Sequence, residues 1–183
     1  MPHRPPLSPP YARPVRIRRR ACPRSVPVRY IAACGLAAVA ASACSVTGDA
    51  GPTPPSPSGR TAQACRTLHD ALPQKVVGQQ RGETDPASDY TAVWGDPAIA
   101  LRCGVPRPAR LTPGNEEYNP TTEAAEVNGV SWMMEKRDDG YRFTTTERAA
   151  YIELTVPDDY APEVSPLADL SEAVKRSVPK KKS

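Results

Sequence analysis

The sequence predicts an α+β domain: a small antiparallel sheet of about four strands with two helices packed on one face. Three observations carry that expectation. Runs within 98–103 and 130–156 alternate apolar and polar residues with the period of a half-buried strand. Turn residues punctuate them, and Pro157 closes the last. Two segments, 62–72 and 166–178, instead repeat their apolar residues every three or four positions, as a helix does.

Residues 62–72 place Cys65, Leu68 and Leu72 on one helical face, and Pro73 ends the run. Residues 74–90 are polar and read as a loop. Trp94-Gly95-Asp96-Pro97 reads as a turn, because Gly accepts φ > 0 and Pro fixes φ. Ile99, Leu101 and Cys103 then alternate with Ala100 and Arg102, so Cys103 and Cys65 point to one core. A polar segment follows over 107–124. Asn128-Gly129 is a tight-turn signal. It opens on Val130, Trp132 and Met134, which alternate with Ser131, Met133 and Glu135. Lys136–Gly140 is a hairpin loop, Tyr141, Phe143 and Thr145 alternate on the return, and Ile152, Leu154 and Val156 lie inward in the last run. The meander is expected to have one dry face. In the closing helix Ser165 is the candidate cap, Pro166 suits the first helical position, and Leu167, Leu170, Val174 and Val178 form the stripe.

The N-terminal 43 residues are of another kind. Arg16, Arg18, Arg19, Arg20, Arg24 and Arg29 precede an uncharged, Ala-rich run at 30–43. That run is shorter than the ~20 residues a bilayer span needs. A basic lead, a short apolar core and a small-residue exit are expected of a secretory signal peptide. The exit, Ala41-Ser42-Ala43-Cys44, resembles a bacterial lipobox, which makes Cys44 the candidate lipidation site. The alternative is plain secretion with cleavage after Ala43. Residues 1–29 are long for such a leader, and initiation near Val26 or Val28 would leave an ordinary one. The expected organisation is a signal peptide with a basic extension over 1–43, a lipid-anchored Pro/Ser/Gly linker over 44–60, one domain over 61–179 and a basic tail over 180–183.

Cleavage would reverse the sign of the charge. The formal +4 includes eight arginines within residues 1–43 and no acid there, so the remainder carries 16 basic and 20 acidic side chains. A nucleic-acid partner is therefore not expected. The expected partners are the membrane, through the lipid, and an envelope protein or cell-wall component. Removal of Cys22 and Cys34 with the leader, and acylation of Cys44, would leave Cys65 and Cys103 as an even pair in an oxidising compartment. A disulfide between them is expected, with two buried thiols as the alternative. No metal site or cofactor is expected: one histidine, His69, lies outside the leader, and no close cysteine pair is present.

The blocks WGDPAIALRCGVP, VNGVSW and FTTTERAAYIELTVP, with the terminal helix, resemble DUF3515, a family of actinobacterial envelope proteins, over roughly 64–179. That resemblance implies an exported, anchored protein and supplies no catalytic residues. P-loop, GxSxG, HExxH, SxxK and GxGxxG motifs do not occur. Trp94, Asp96 and Arg102, expected near one sheet end, and Arg148, beside the Thr144–Thr146 run, are the candidate ligand-binding or structural cluster. The functional expectation is a non-enzymatic binding or assembly module. The alternative is a small enzyme or ligand-binding protein acting on cell-wall precursors, with Asp96, Arg102 and Arg148 gathered in one pocket.

Overall fold

The computed structural model describes residues 51–182; the expected leader, Cys44 and the start of the expected linker lie outside them. Two helices, α1 (Gly59–Ala71) and α2 (Ser165–Ser177), flank eight strands in sequence. The strands are β1 (Lys75–Val76), β2 (Gln79–Gly82), β3 (Thr91–Trp94), β4 (Ile99–Val105), β5 (Ala124–Val127), β6 (Val130–Arg137), β7 (Gly140–Thr145) and β8 (Tyr151–Pro157). They form one sheet in the order β1-β2-β3-β4-β8-β7-β6-β5, with every neighbouring pair antiparallel.

The expected sheet of about four strands is thus corrected to eight; the α+β class and the two helices stand. The added strands are β1, β2, β3 and β5. β1 and β2 were expected as loop because Gln79, Gln80 and Arg81 show no apolar alternation, and their half-exposed positions on the sheet margin demand none. β5 is a short edge strand with exposed Ala124 and Glu126. β3 is hidden for another reason. It packs on both sides, with Thr91, Ala92 and Trp94 all buried, so period two is lost.

The expected strands keep their faces. On β4, Ile99, Leu101, Cys103 and Val105 are buried, and Ala100, Arg102 and Gly104 face the other way. Trp94, Trp132, Phe143, Ile152 and Leu154 are fully buried, joining Leu68 of α1 and Leu167 and Leu170 of α2 in one core. Each such aliphatic side chain contributes ~1.5–3 kcal/mol by leaving water. Asn128 and Gly129 close the β5–β6 hairpin with φ of 49° and 79°. A two-residue primed turn requires positive φ at both positions. α2 starts differently from expectation: Ser165 is its first residue rather than its cap, Val164 holds the cap position, and Pro166 follows in the first turn.

The second face of the sheet is not simply wet. Met133 and Thr144, paired across β6 and β7 on that side, are 1% and 2% exposed. Two segments lie over this outer face. One is the excursion 106–123 between β4 and β5, whose Arg110 reaches Glu135 on β6. The other is residues 51–58, here termed the strap, from within the stretch expected as linker. Thr53 accepts a hydrogen bond from Arg102 Nε at 2.9 Å, and Pro55 is buried. Gly104 makes room for the strap. It sits at a register shift in β4 with φ of 88°, and a Cβ there would stand 2.6 Å from Pro57. At the other end of the chain, the amide of Lys181 donates to Glu147 and that of Ala149 to Pro179, so the expected basic tail is paired as far as Lys181.

Cys65 and Cys103 form the expected disulfide, joining α1 to β4 with Cα atoms 5.5 Å apart across a separation of 38 residues. Replacing both cysteines by alanine should cost about 3–4 kcal/mol through the freed loop entropy of the unfolded chain. Urea unfolding of the variant, and of the native chain with and without reductant, checks this. Equal midpoints would remove the bond from the stability of the fold.

Tyr160 ties the β3–β4 turn to the segment leading into α2, its hydroxyl donating to the Pro97 carbonyl at 2.7 Å. Burial, then the charges of Asp159 and Asp96, raise its pKa above the ordinary tyrosine value. Folding therefore favours the protonated phenol, and the associated stability is whole below about pH 10 and lost as pH rises through the folded-state value. Tyr160→Phe should cost about 1 kcal/mol at neutral pH. It should also flatten the alkaline fall in stability, read as urea midpoints between neutral and strongly alkaline pH.

Candidate functional site

Between strap and excursion the outer face forms an open trough floored by β4, β8 and β7. Its charged groups come from alternating strand positions brought opposite one another by the antiparallel register. Arg102 on β4 stands directly across from Glu153 on β8, and Glu135 on β6 across from Arg142 on β7. Arg102 Nη1 donates to Glu153 Oε1 at 2.9 Å. Arg142 donates twice to Glu135, from Nε at 2.9 Å and Nη2 at 3.0 Å, the forked geometry peculiar to guanidinium and carboxylate. Arg142 Nη1 also lies 3.9 Å from Glu153, and Arg110 Nε 3.4 Å from Glu135. The result is a ladder, Arg110–Glu135–Arg142–Glu153–Arg102, of three cations and two anions.

The two charge types are not equally accessible. The Glu135 and Glu153 side chains are 10% and 14% exposed, whereas Arg102 and Arg142 are 31% and 32% and Arg110 is 46%. The carboxylates lie low on the sheet and the guanidinium groups stand over them. Hydrogen bonds to Glu135 raise the Arg142 pKa above the ordinary arginine value, against the lowering effect of burial. The ladder lies in a recess of about 240 Å³. This adjoins a groove of about 570 Å³ that shares Arg102 and Glu153 and is bounded by the strap and by Glu83 and Asp85 of the β2–β3 loop. The latter volume lies in the usual range of small-molecule sites.

The four residues expected as one cluster serve separate places. Arg102 belongs to the trough. Trp94 lies on the opposite, core side of the sheet, fully buried, its indole N–H donating to the Pro73 carbonyl at 3.1 Å. Asp96 is exposed in the β3–β4 turn and has no ion pair among the described residues. Arg148 is 5% exposed near the end of α2, where Nη1 donates to the Val178 carbonyl at 3.2 Å and Nη2 to Gly129 at 2.8 Å. A buried cation against the Val178 carbonyl suits the negative end of α2. Its role is to pin the β7–β8 loop to α2 and to the β5–β6 turn.

His69 is half-buried beside Asp70, with Nδ1 3.9 Å from Oδ1. Cys65 and Cys103 are bonded to each other. Among the described residues no three His, Cys, Asp or Glu side chains gather as a metal cluster, and no helix is long and apolar enough to cross a membrane. Glu135, Arg142, Glu153 and Arg110 were not singled out by sequence. The available signal was opposite charge on the outward positions of neighbouring runs, but the pairing depends on register.

Arg148→Met should lower stability by about 3 kcal/mol, because two carbonyls lose a charged donor. Arg148→Lys should recover less than half of that loss, since a single ammonium lacks the span of the planar fork. Urea midpoints of the three proteins check the order.

No curated protein and no solved structure matches the chain. The sequence does match the family DUF3515, described as a protein of unknown function, over residues 25–183. That match takes in most of the chain, including both helices, all eight strands and every residue of the trough. The chain belongs to the DUF3515 family.

Proposed function

We propose that this chain is an exported, lipid-anchored protein of the cell envelope, and that its folded domain is a non-enzymatic binding module presenting the outer-face trough to an envelope protein or cell-wall component. The observation that carries the reading is the ladder. Its guanidinium groups are held in place by partly buried carboxylates yet keep donors exposed along an open, two-walled groove. Fixed, outward-facing donors suit recognition, since little side-chain entropy remains to be lost on binding.

The leader residues and the disulfide support the extracytoplasmic part of the reading, because disulfides persist in oxidising compartments. The alternative enzyme reading required Asp96, Arg102 and Arg148 to act on a common substrate. Those three side chains hold separate positions, and catalytic groups must lie within hydrogen-bond reach of one substrate.

Two measurements test the proposal. The intact mass of the protein from native membranes should correspond to a chain beginning at Cys44 with an acylated glyceryl addition, gaining two hydrogens on reduction. An unmodified full-length mass would remove the anchor. In-cell photocrosslinking from Thr155, on the trough floor, should capture a discrete envelope partner that is lost when Arg142 is replaced by Glu. Capture unchanged by that replacement would place recognition elsewhere on the surface.

A further inference from the structure

The larger groove has an internal charge order. Its floor carries Arg102 on β4, and its side wall carries Glu83 and Asp85 on the β2–β3 loop. The small apolar side chains of Val93, Ala98 and Ala100 also line it. Glu83 and Asp85 are exposed and make no ion pair among the described residues. The two carboxylates are therefore available to a cation from outside.

Arg102 is available to an anion, although it already has partners. Its Nε is taken by Thr53 and one Nη1 donor by Glu153. An arginine carries five N–H donors, and Nη2 has no partner among the described residues. Nor does Glu153 neutralise Arg102 alone, because the same carboxylate lies 3.9 Å from Arg142. One lining thus holds free Nη donors of Arg102, the two carboxylates of Glu83 and Asp85, and small apolar side chains.

We infer that this groove binds a zwitterionic ligand of the amino-acid or short-peptide class, its carboxylate on Arg102 and its ammonium against Glu83 and Asp85. The free Nη donors of Arg102 can make charge-assisted hydrogen bonds to a carboxylate. Two exposed acids suit a primary ammonium, which needs no fixed direction of approach. Val93, Ala98 and Ala100 offer small apolar surface to the ligand's side chains. The strap completes the site, since Thr53 fixes the tilt of the Arg102 head group. This inference rests on the binding-module reading and names the ligand of the same trough.

The test is a titration of the full-length chain in detergent with alanyl-alanine, followed by ligand-observed NMR or calorimetry. N-acetyl-alanyl-alanine and alanyl-alanine amide, which each lack one charge, are run beside it. Saturable binding of the free dipeptide is expected, with each capped form at least ~10-fold weaker, as befits loss of one charge-assisted contact. The double replacement Glu83→Gln and Asp85→Asn lies on an exposed loop and should leave the fold intact. It should erase the difference between free and acetylated peptide while keeping that between acid and amide. Arg102→Gln should do the converse. No saturable binding, or equal binding of free and capped peptides, overturns the inference. The two ideas fail separately. Crosslinking to a protein partner that depends on Arg142, together with indifference to dipeptide, retains the module and sinks the ligand. Dipeptide binding without an Arg142-dependent partner retains the ligand and removes the protein contact at Arg142.

Discussion

The alternation of β4 is the constraint on which the molecule depends. One face of this strand places Ile99, Leu101 and Cys103 in the core, and Cys103 carries the covalent link to α1. The other face places Ala100, Arg102 and Gly104 in the trough. A slip of one residue would exchange the two sets, moving a guanidinium into the core and leaving the cysteine unbonded. The disulfide and the Arg102–Glu153 pair therefore specify the same register from opposite sides. The shift at Gly104 then adjusts the end of the strand where the strap crosses.

The charged ladder is better understood as a device for geometry than as a source of stability. Exposed ion pairs contribute little, typically ~0–1 kcal/mol, and the desolvation of partly buried carboxylates offsets much of their attraction to arginine. What the arrangement secures is orientation. Glu135 is held by a forked pair from Arg142 and a second guanidinium from Arg110. Each head group is thereby fixed in direction, and the surface shows a set pattern of donors. Arg148 illustrates the contrasting use of the same side chain. It is buried, directed at carbonyls, and ties loop to helix without facing solvent.

Much of the fold was legible in the sequence because it follows from local period. The stripe Leu167, Leu170, Val174 and Val178 marked α2, and the runs over 98–103 and 130–156 marked the central strands with their buried faces. The Asn128-Gly129 turn and the cysteine pair were readable for the same reason. Strand number was not. β2 and β5 lie toward the sheet margins without a buried apolar face, β1 is two residues long with only Val76 buried, and β3 is buried on both sides. None of these situations writes a period of two. The candidate site was less legible still. Arg102 was singled out, but its companions Glu135, Arg142 and Glu153 come from strands 33 to 51 residues further on, and only the register β4-β8-β7-β6 sets them side by side. The grouping of Trp94, Asp96 and Arg148 with Arg102 failed on facing and on position. Trp94 points to the core, Asp96 sits in a turn, and Arg148 sits by the end of α2.

The docking of the strap also sets a distance. For a chain fastened to lipid at Cys44, the length that could act as a leash is not the whole Pro/Ser/Gly stretch to residue 60. It is the six residues between Cys44 and Gly51, because the strap beyond them is part of the domain. At ~3.3–3.6 Å per residue, such a leash reaches roughly 25 Å at full extension. Since Gly51 itself lines the groove, a chain so anchored would keep the groove in the layer next to the bilayer and limit its ligands to molecules found at that height.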